Sequence, residues 1–143
     1  QFWEGDYRSG KIILADRYAT SNAIYQLTKV ENTQWDGFLG WIEDFEYNKL
    51  EIPQPDLVIY LDMPPDVSQK LMTLRYGGDE SKKDIQERDT EYLARSRAAA
   101  EYCARKLGWH RIECTTTVDG QKTIRTPEDI QSEVMAYLER ILS

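Results

Sequence analysis

After a polar start the chain enters an unbroken apolar run, Ile12-Ile13-Leu14-Ala15, with no polar residue alternating through it. Such a run suits a strand buried on both faces, as in a parallel sheet covered by helices, and predicts a strand over residues 11–15. Ser21 suits a helix cap, and residues 21–30 read as a helix with Asn22, Tyr25 and Gln26 on one surface. Trp35, Phe38, Leu39, Ile42, Phe45 and Tyr47 then recur at helical spacing with acids between them, which predicts a second helix over 35–49. Pro53 and Pro55 break that pattern ahead of a second strand over 56–61.

Pro64-Pro65 open a helix in which Val67, Leu71 and Leu74 form an apolar stripe. Residues 76–84 are polar and glycine-rich, the composition of a loop. A long helix over 85–107 carries Ile85, Tyr92, Ser96, Ala99, Cys103 and Leu107 on one face, with Gly108 as its C-terminal cap. Trp109 to Cys114 alternates weakly and reads as the last strand. Thr126-Pro127-Glu128-Asp129 is a helix start with a capping hydroxyl, Pro at the first position and acids facing the dipole. Ile130, Val134, Tyr137, Leu138 and Ile141 are the expected buried stripe of that final helix. There is no internal repeat, and the order of elements is that of an α/β nucleotide-binding domain.

Candidate chemistry gathers at the end of the first predicted strand. In open α/β sheets ligands bind at the carboxyl ends of strands, and there stand Asp16 and Arg17. A guanidinium can donate two parallel hydrogen bonds to phosphate oxygens, so Arg17 is a candidate anion clamp. Asp16 is a candidate acid on the side of a metal. The amide of Asn22 and the phenol of Tyr25 follow on the next helix. The group describes a pocket for a phosphorylated, hydrogen-bonding ligand.

Asp16-Arg17-Tyr18, followed by Ser21-Asn22 and Tyr25-Gln26, resembles the DRY segment of thymidylate kinases, P-loop enzymes that phosphorylate dTMP with ATP and Mg2+. Pro55-Asp56-Leu57-Val58-Ile59-Tyr60-Leu61-Asp62-Met63-Pro64-Pro65 is similar to the family's next core strand, and Asp84-Ile85-Gln86-Glu87-Arg88-Asp89 with the helix after it to the family's lid region. The resemblance implies a three-layer α/β P-loop kinase fold with a parallel sheet, and a lid over about 75–89. It implies that Arg17 holds the dTMP phosphate, that Asn22 touches the thymine edge, that Tyr25 packs by the sugar where a ribose 2′-hydroxyl would stand, and that Ser21 and Gln26 also bind the substrate. Asp16 would act on Mg2+ indirectly, through water. Arg75 would reach the ATP phosphates when the lid closes, with Asp84 and Glu87 as matching lid acids. The family commonly forms homodimers through helices, to which the aromatic helix 35–49 would contribute. The family's GxxxxGK(S/T) phosphate loop does not occur in the chain, where Gly77-Gly78 is followed by Asp79. Residues 1–143 are therefore expected to be the C-terminal portion of one such domain, incomplete at its N-terminus and inactive alone.

Composition narrows the partners. A net charge of −7 argues against a nucleic-acid footprint, which relies on clustered Lys and Arg. A few placed arginines still suffice for a nucleotide. No stretch reaches the roughly 18 apolar residues of a membrane span. Cys103, Cys114 and His110 lack metal-ligand spacing and read as structural, and a reduced cytoplasmic setting is expected. Two rival readings are another nucleoside or nucleotide kinase of the same fold, disfavoured by Asp16-Arg17-Tyr18, and a non-catalytic kinase-like module.

Overall fold

The computed structural model describes residues 3–75, 77 and 89–142. In chain order these form α1 (Glu4–Arg8), α2 (Ala19–Leu27), a 3-10 turn (Asn32–Gln34), α3 (Trp35–Glu43) and a π-helical continuation (Asp44–Lys49). Then come β1 (Ile59–Asp62), α4 (Pro65–Arg75), α5 (Thr90–Leu107), β2 (His110–Glu113), β3 (Thr115–Val118), β4 (Gln121–Ile124) and α6 (Pro127–Leu142). The protein is α/β, with helices around a small parallel sheet.

The core lies among helices. Ala23 and Leu27 of α2, Trp35, Leu39 and Ile42 of α3, and Ala99 and Cys103 of α5 form one buried cluster. The buried face of α5 consists of Ala99, Ala100, Cys103 and Ala104, small side chains that let neighbouring helices approach closely. The Trp35 indole N–H donates to the Leu27 carbonyl at 2.9 Å, giving a buried polar handle a partner and satisfying a carbonyl at the end of α2. Tyr102 meets the Trp35 ring edge-on at 5.2 Å, and its hydroxyl donates to Asp36 at 2.8 Å.

β1 and β2 pair in parallel, from Ile59 opposite His110 to Asp62 opposite Glu113. Backbone bonds from His110 N to Val58 O and from Cys114 N to Asp62 O, both 2.9 Å, extend the pairing at each end. The long connection between the strands carries α4 and α5, as parallel pairing demands. The His110 ring stacks on Tyr137 of α6 with centroids 3.5 Å apart.

Several expectations are corrected. Residues 11–15 pair with no strand among the described residues; Ile12 is 74% and Leu14 92% exposed. A strand exists by its hydrogen-bonding neighbour, and an apolar run with none beside it is merely extended chain. Ser21 is not the cap of α2: the helix begins at Ala19, with extended Tyr18 before it and no side-chain cap bond. The helix expected from residue 85 starts at Thr90, because Asp89 is its extended N-cap and accepts from Tyr92 N at 2.9 Å; residues 85–88 lie outside the described residues. Along α4 only Val67 is buried, while Leu74 is 77% exposed. The stripe of α6 is half-buried, and Ile141 is exposed. α6 packs on β2, and a two-stranded sheet is too narrow to cover its full face, whereas α4 packs on α5.

One element was not anticipated. β3 and β4 form an antiparallel hairpin whose two turn residues, Asp119 and Gly120, have φ of 50° and 76°. Positive φ at both central positions is the type I′ requirement that Asp-Gly meets, so the signal stood in the sequence.

Leu39→Ala is expected to lower unfolding free energy by about 2–5 kcal/mol, whereas Leu74→Ala should change it by less than about 0.5 kcal/mol. Urea unfolding of the two variants checks this, and equal losses would contradict the packing described.

Candidate functional site

Asp16 and Arg17 lie on exposed chain just before α2. Arg17 has φ of 68°, a left-handed conformation that costs an ordinary residue roughly 1–2 kcal/mol. Backbone strain of this kind gathers at functional positions. The Tyr18 hydroxyl donates to the Pro53 carbonyl at 2.8 Å, fixing the entry to α2 against the chain that leads to β1. Burial is the main cause that holds the Tyr18 phenol above its ordinary pKa.

On α2 the predicted residues come together. Asn22 and Gln26, one turn apart, are bonded through Gln26 Nε2 and Asn22 Oδ1 at 3.2 Å. Tyr25 is an exposed ring with the Lys29 ammonium 3.8 Å from its centroid. Ser21 is half-buried one turn ahead of Tyr25. These side chains are held by a helix whose opposite face, Ala23 and Leu27, is locked into the core.

A residue missed in the sequence completes this group. Glu46, only 6% exposed, lies in the π-helical stretch and accepts from Asn22 Nδ2 at 2.6 Å. A sign of it was available: Trp35, Leu39 and Ile42 define the buried stripe of α3, and position 46 continues that stripe four residues on. An acid on a core stripe needs a polar partner, because an unpaired buried charge is costly. Burial pushes the neighbouring Tyr47 phenol up to about 12, with Glu46 adding to the shift.

A second polar cluster sits at the carboxyl ends of β1 and β2. Asp62, 2% exposed, receives a bidentate pair from Arg97, Nε at 2.7 Å and Nη2 at 3.0 Å. Arg111 adds Nε at 2.9 Å and also its Nη2. Glu101 pairs with Arg97 at 3.0 Å, and the Tyr60 hydroxyl donates to Asp62 at 3.2 Å. The Arg97 hydrogen bonds, aided by those from Arg111, outweigh burial and hold the Asp62 carboxyl down at about 2. Beside it lies an open polar cavity of about 280 Å³, lined in part by Glu113, Thr115, Thr117 and Lys122. The cluster is a fully paired ion network, which makes it a brace for the sheet corner.

Arg75 is exposed at the end of α4 and makes no hydrogen bond or ion pair with the α2 group among the described residues. Asp84 and Glu87 lie outside the described residues. No cluster of three or more His, Cys, Asp or Glu that could cage a metal occurs among the described residues. Cys103 is buried, which pushes its thiol up to about 12, and burial raises Cys114 as well; both are unsuited to a thiolate role. No described helix is long and apolar enough to cross a membrane.

The fold and site define an α/β protein with its polar groups collected at strand ends and on the helix that follows the first apolar run. The chain belongs to the thymidylate kinase family, whose family model, "Thymidylate kinase", matches residues 1–124. Relatives described as thymidylate kinase, from Mycobacterium tuberculosis strains CDC 1551 / Oshkosh and ATCC 25618 / H37Rv, are each 26% identical over 133 residues. Those alignments cover 90% of this chain and 62% of each relative, so the chain spans less than two thirds of the length of the relatives it matches.

Asp62 has its pKa depressed in the folded state, so its ionisation contributes stability that is complete above the unfolded carboxyl pKa of about 4. That contribution is lost as pH falls toward about 2. Asp62→Asn should lower stability at neutral pH, since the part-exposed Arg97 and the exposed Arg111 lose their shared counter-charge and the charge-assisted bonds to it. It should also flatten the acid limb of the stability profile between those values. Urea unfolding at a series of pH values reads both, and an unchanged acid limb would show that Asp62 does not carry this linkage.

Proposed function

We propose that the protein transfers a phosphoryl group from ATP to dTMP, within a three-layer P-loop kinase domain of which residues 1–143 are the C-terminal portion. The observation that carries the reading is the exposed, strained Arg17 directly ahead of a helix that presents Asn22, Tyr25 and Gln26 together. Membership of the thymidylate kinase family supports it. Arg17 would take the dTMP phosphate in a bidentate grip, Asn22 the thymine edge, with Ser21 and Gln26 beside it, and Tyr25 the sugar.

A lone exposed carboxylate suits Mg2+, which retains several waters and needs few protein ligands, so Asp16 would hold the ion through water. When bound, ATP with Mg2+ supplies the phosphoryl group and neutralises its charge. Arg75 would reach the ATP phosphates when the lid closes, Asp84 and Glu87 would be the matching acids of that lid, and the GxxxxGK(S/T) loop would lie in sequence ahead of residue 1. A homodimer is part of the proposal, supported by the stacked ladder of Phe38, Trp41 and Phe45, centroids 5.6 and 5.4 Å apart, on which Trp41 and Phe45 are exposed. The two free, buried cysteines accord with a reduced, cytoplasmic setting.

Arg17→Lys in the full-length protein is expected to lower kcat/KM for dTMP about tenfold or more, the value of one charge-assisted hydrogen bond at a desolvated phosphate. Arg8→Ala, which breaks an exposed pair with Glu4, should change it less than about twofold. Steady-state kinetics with ATP in excess decides: equal effects would remove Arg17 as the clamp.

Tyr25→Ala should weaken dTMP use and narrow the gap between dTMP and its ribose counterpart. The ring excludes a 2′-hydroxyl and leaves it unpaired, a penalty of about 1–3 kcal/mol. Comparing kcat/KM for both nucleotides on both proteins tests this; an unchanged ratio places sugar selection elsewhere.

A further inference from the structure

We propose that Glu46 is a positioning residue that selects the base by locking the amide orientation of Asn22; the inference rests on the reading above, in which Asn22 meets the base edge. An asparagine amide is nearly symmetric in shape but opposite in chemistry at its two ends: Oδ1 only accepts and Nδ2 only donates. Turned one way, its free carbonyl and N–H match the N3–H and adjacent carbonyl of a thymine or uracil. Turned by 180°, the same two atoms match the bare N3 and exocyclic amine of a cytosine. An unrestrained Asn22 would therefore read either base.

Glu46 removes that freedom. An ionised carboxylate accepts and cannot donate, so only Nδ2 can point at it, as the 2.6 Å contact shows. Gln26 Nε2 donates to Oδ1 at 3.2 Å and supports the same orientation from the other side. Two of the amide's four hydrogen-bonding capacities are thereby used, which leaves one lone pair and one N–H for a ligand. Glu46 cannot easily swing away. Its side chain is buried on the stripe that packs α3, and the π-helical backbone around it is closed by Leu50 N to Phe45 O at 2.9 Å. The acid is thus fixed by the core, and Asn22 is fixed by the acid.

The test uses the full-length protein and kcat/KM for dTMP and dCMP. Glu46→Gln keeps the volume but offers either a donor or an acceptor, so both orientations of Asn22 are satisfied. The dTMP:dCMP ratio should fall about tenfold or more. Glu46→Met fills the buried position without any polar group, guards against a folding defect in the first variant, and should lower the ratio as well. In an Asn22→Ala background neither substitution should move the ratio further, because the amide through which Glu46 acts is gone. A role in packing alone would lower kcat/KM for both nucleotides together and leave the ratio intact, which overturns the proposal. So does an equal fall in the ratio with Asn22 absent. Failure of the unaltered protein to use dTMP would overturn the functional reading and this inference together, whereas dTMP use with a ratio insensitive to Glu46 overturns the inference alone.

Discussion

The face of α5 made of Ala99, Ala100, Cys103 and Ala104 sets the distance at which α2 and α3 can lie against it. Larger side chains there would push the helices apart, and cores respond to even one added methylene. Because the approach is close, Leu27, Leu39 and Ile42 are dry and Trp35 can reach back to the last carbonyl groups of α2. That fixes the rotation of α2 about its axis, and with it the direction in which Asn22 and Tyr25 face. The outward-facing polar groups owe their arrangement to alanines on a different helix.

Two buried acids answer the cost of burial in different ways. Asp62 is surrounded by cations, with Arg97 and Arg111 both in hydrogen-bonding contact, so the ionised form is strongly favoured. Glu46 has an amide for a partner, which satisfies an oxygen without neutralising its charge. The first arrangement joins β1, β2 and α5 into a brace. The second leaves a charge with influence over a group at the surface. Buried polar groups are costly enough that such placement asks for a reason, and here the two have different ones.

Much of the fold was legible wherever a local pattern had a neighbour to pack against. The stripe from Trp35 to Ile42, the cap at Gly108 and the Thr126-Pro127 start all act within a turn or two of chain, and the structure places helix ends and cores there. The run 12–15 misled because apolar composition indicates what a segment can bury but not what lies beside it. Leu74 and Ile141 misled for the same reason, periodic but left exposed by what lies beside their helices. Only Asp119-Gly120 announces the hairpin, since the threonines that flank it lack the apolar alternation of a strand pair with a core to cover. At the site, the α2 residues could be read from their order after the apolar run. Glu46 could not be read from its identity, only from its place on a stripe of hydrophobic residues.

The ion network at Asp62 bears on how the protein meets strong brine. Mobile ions weaken attractions between charges in water over about 10 Å at 0.1 M and about 3 Å at 1 M. The Arg8–Glu4 and Lys11–Asp6 pairs lie in that water and would loosen, freeing the first turn of chain. Asp62 is only 2% exposed and in direct contact with Arg97 at 2.7 Å, a pair that dissolved ions screen far less. The corner where β1 meets β2 would then hold its shape while the chain's beginning slackens, so salt divides the molecule into a part that feels its surroundings and a part that does not.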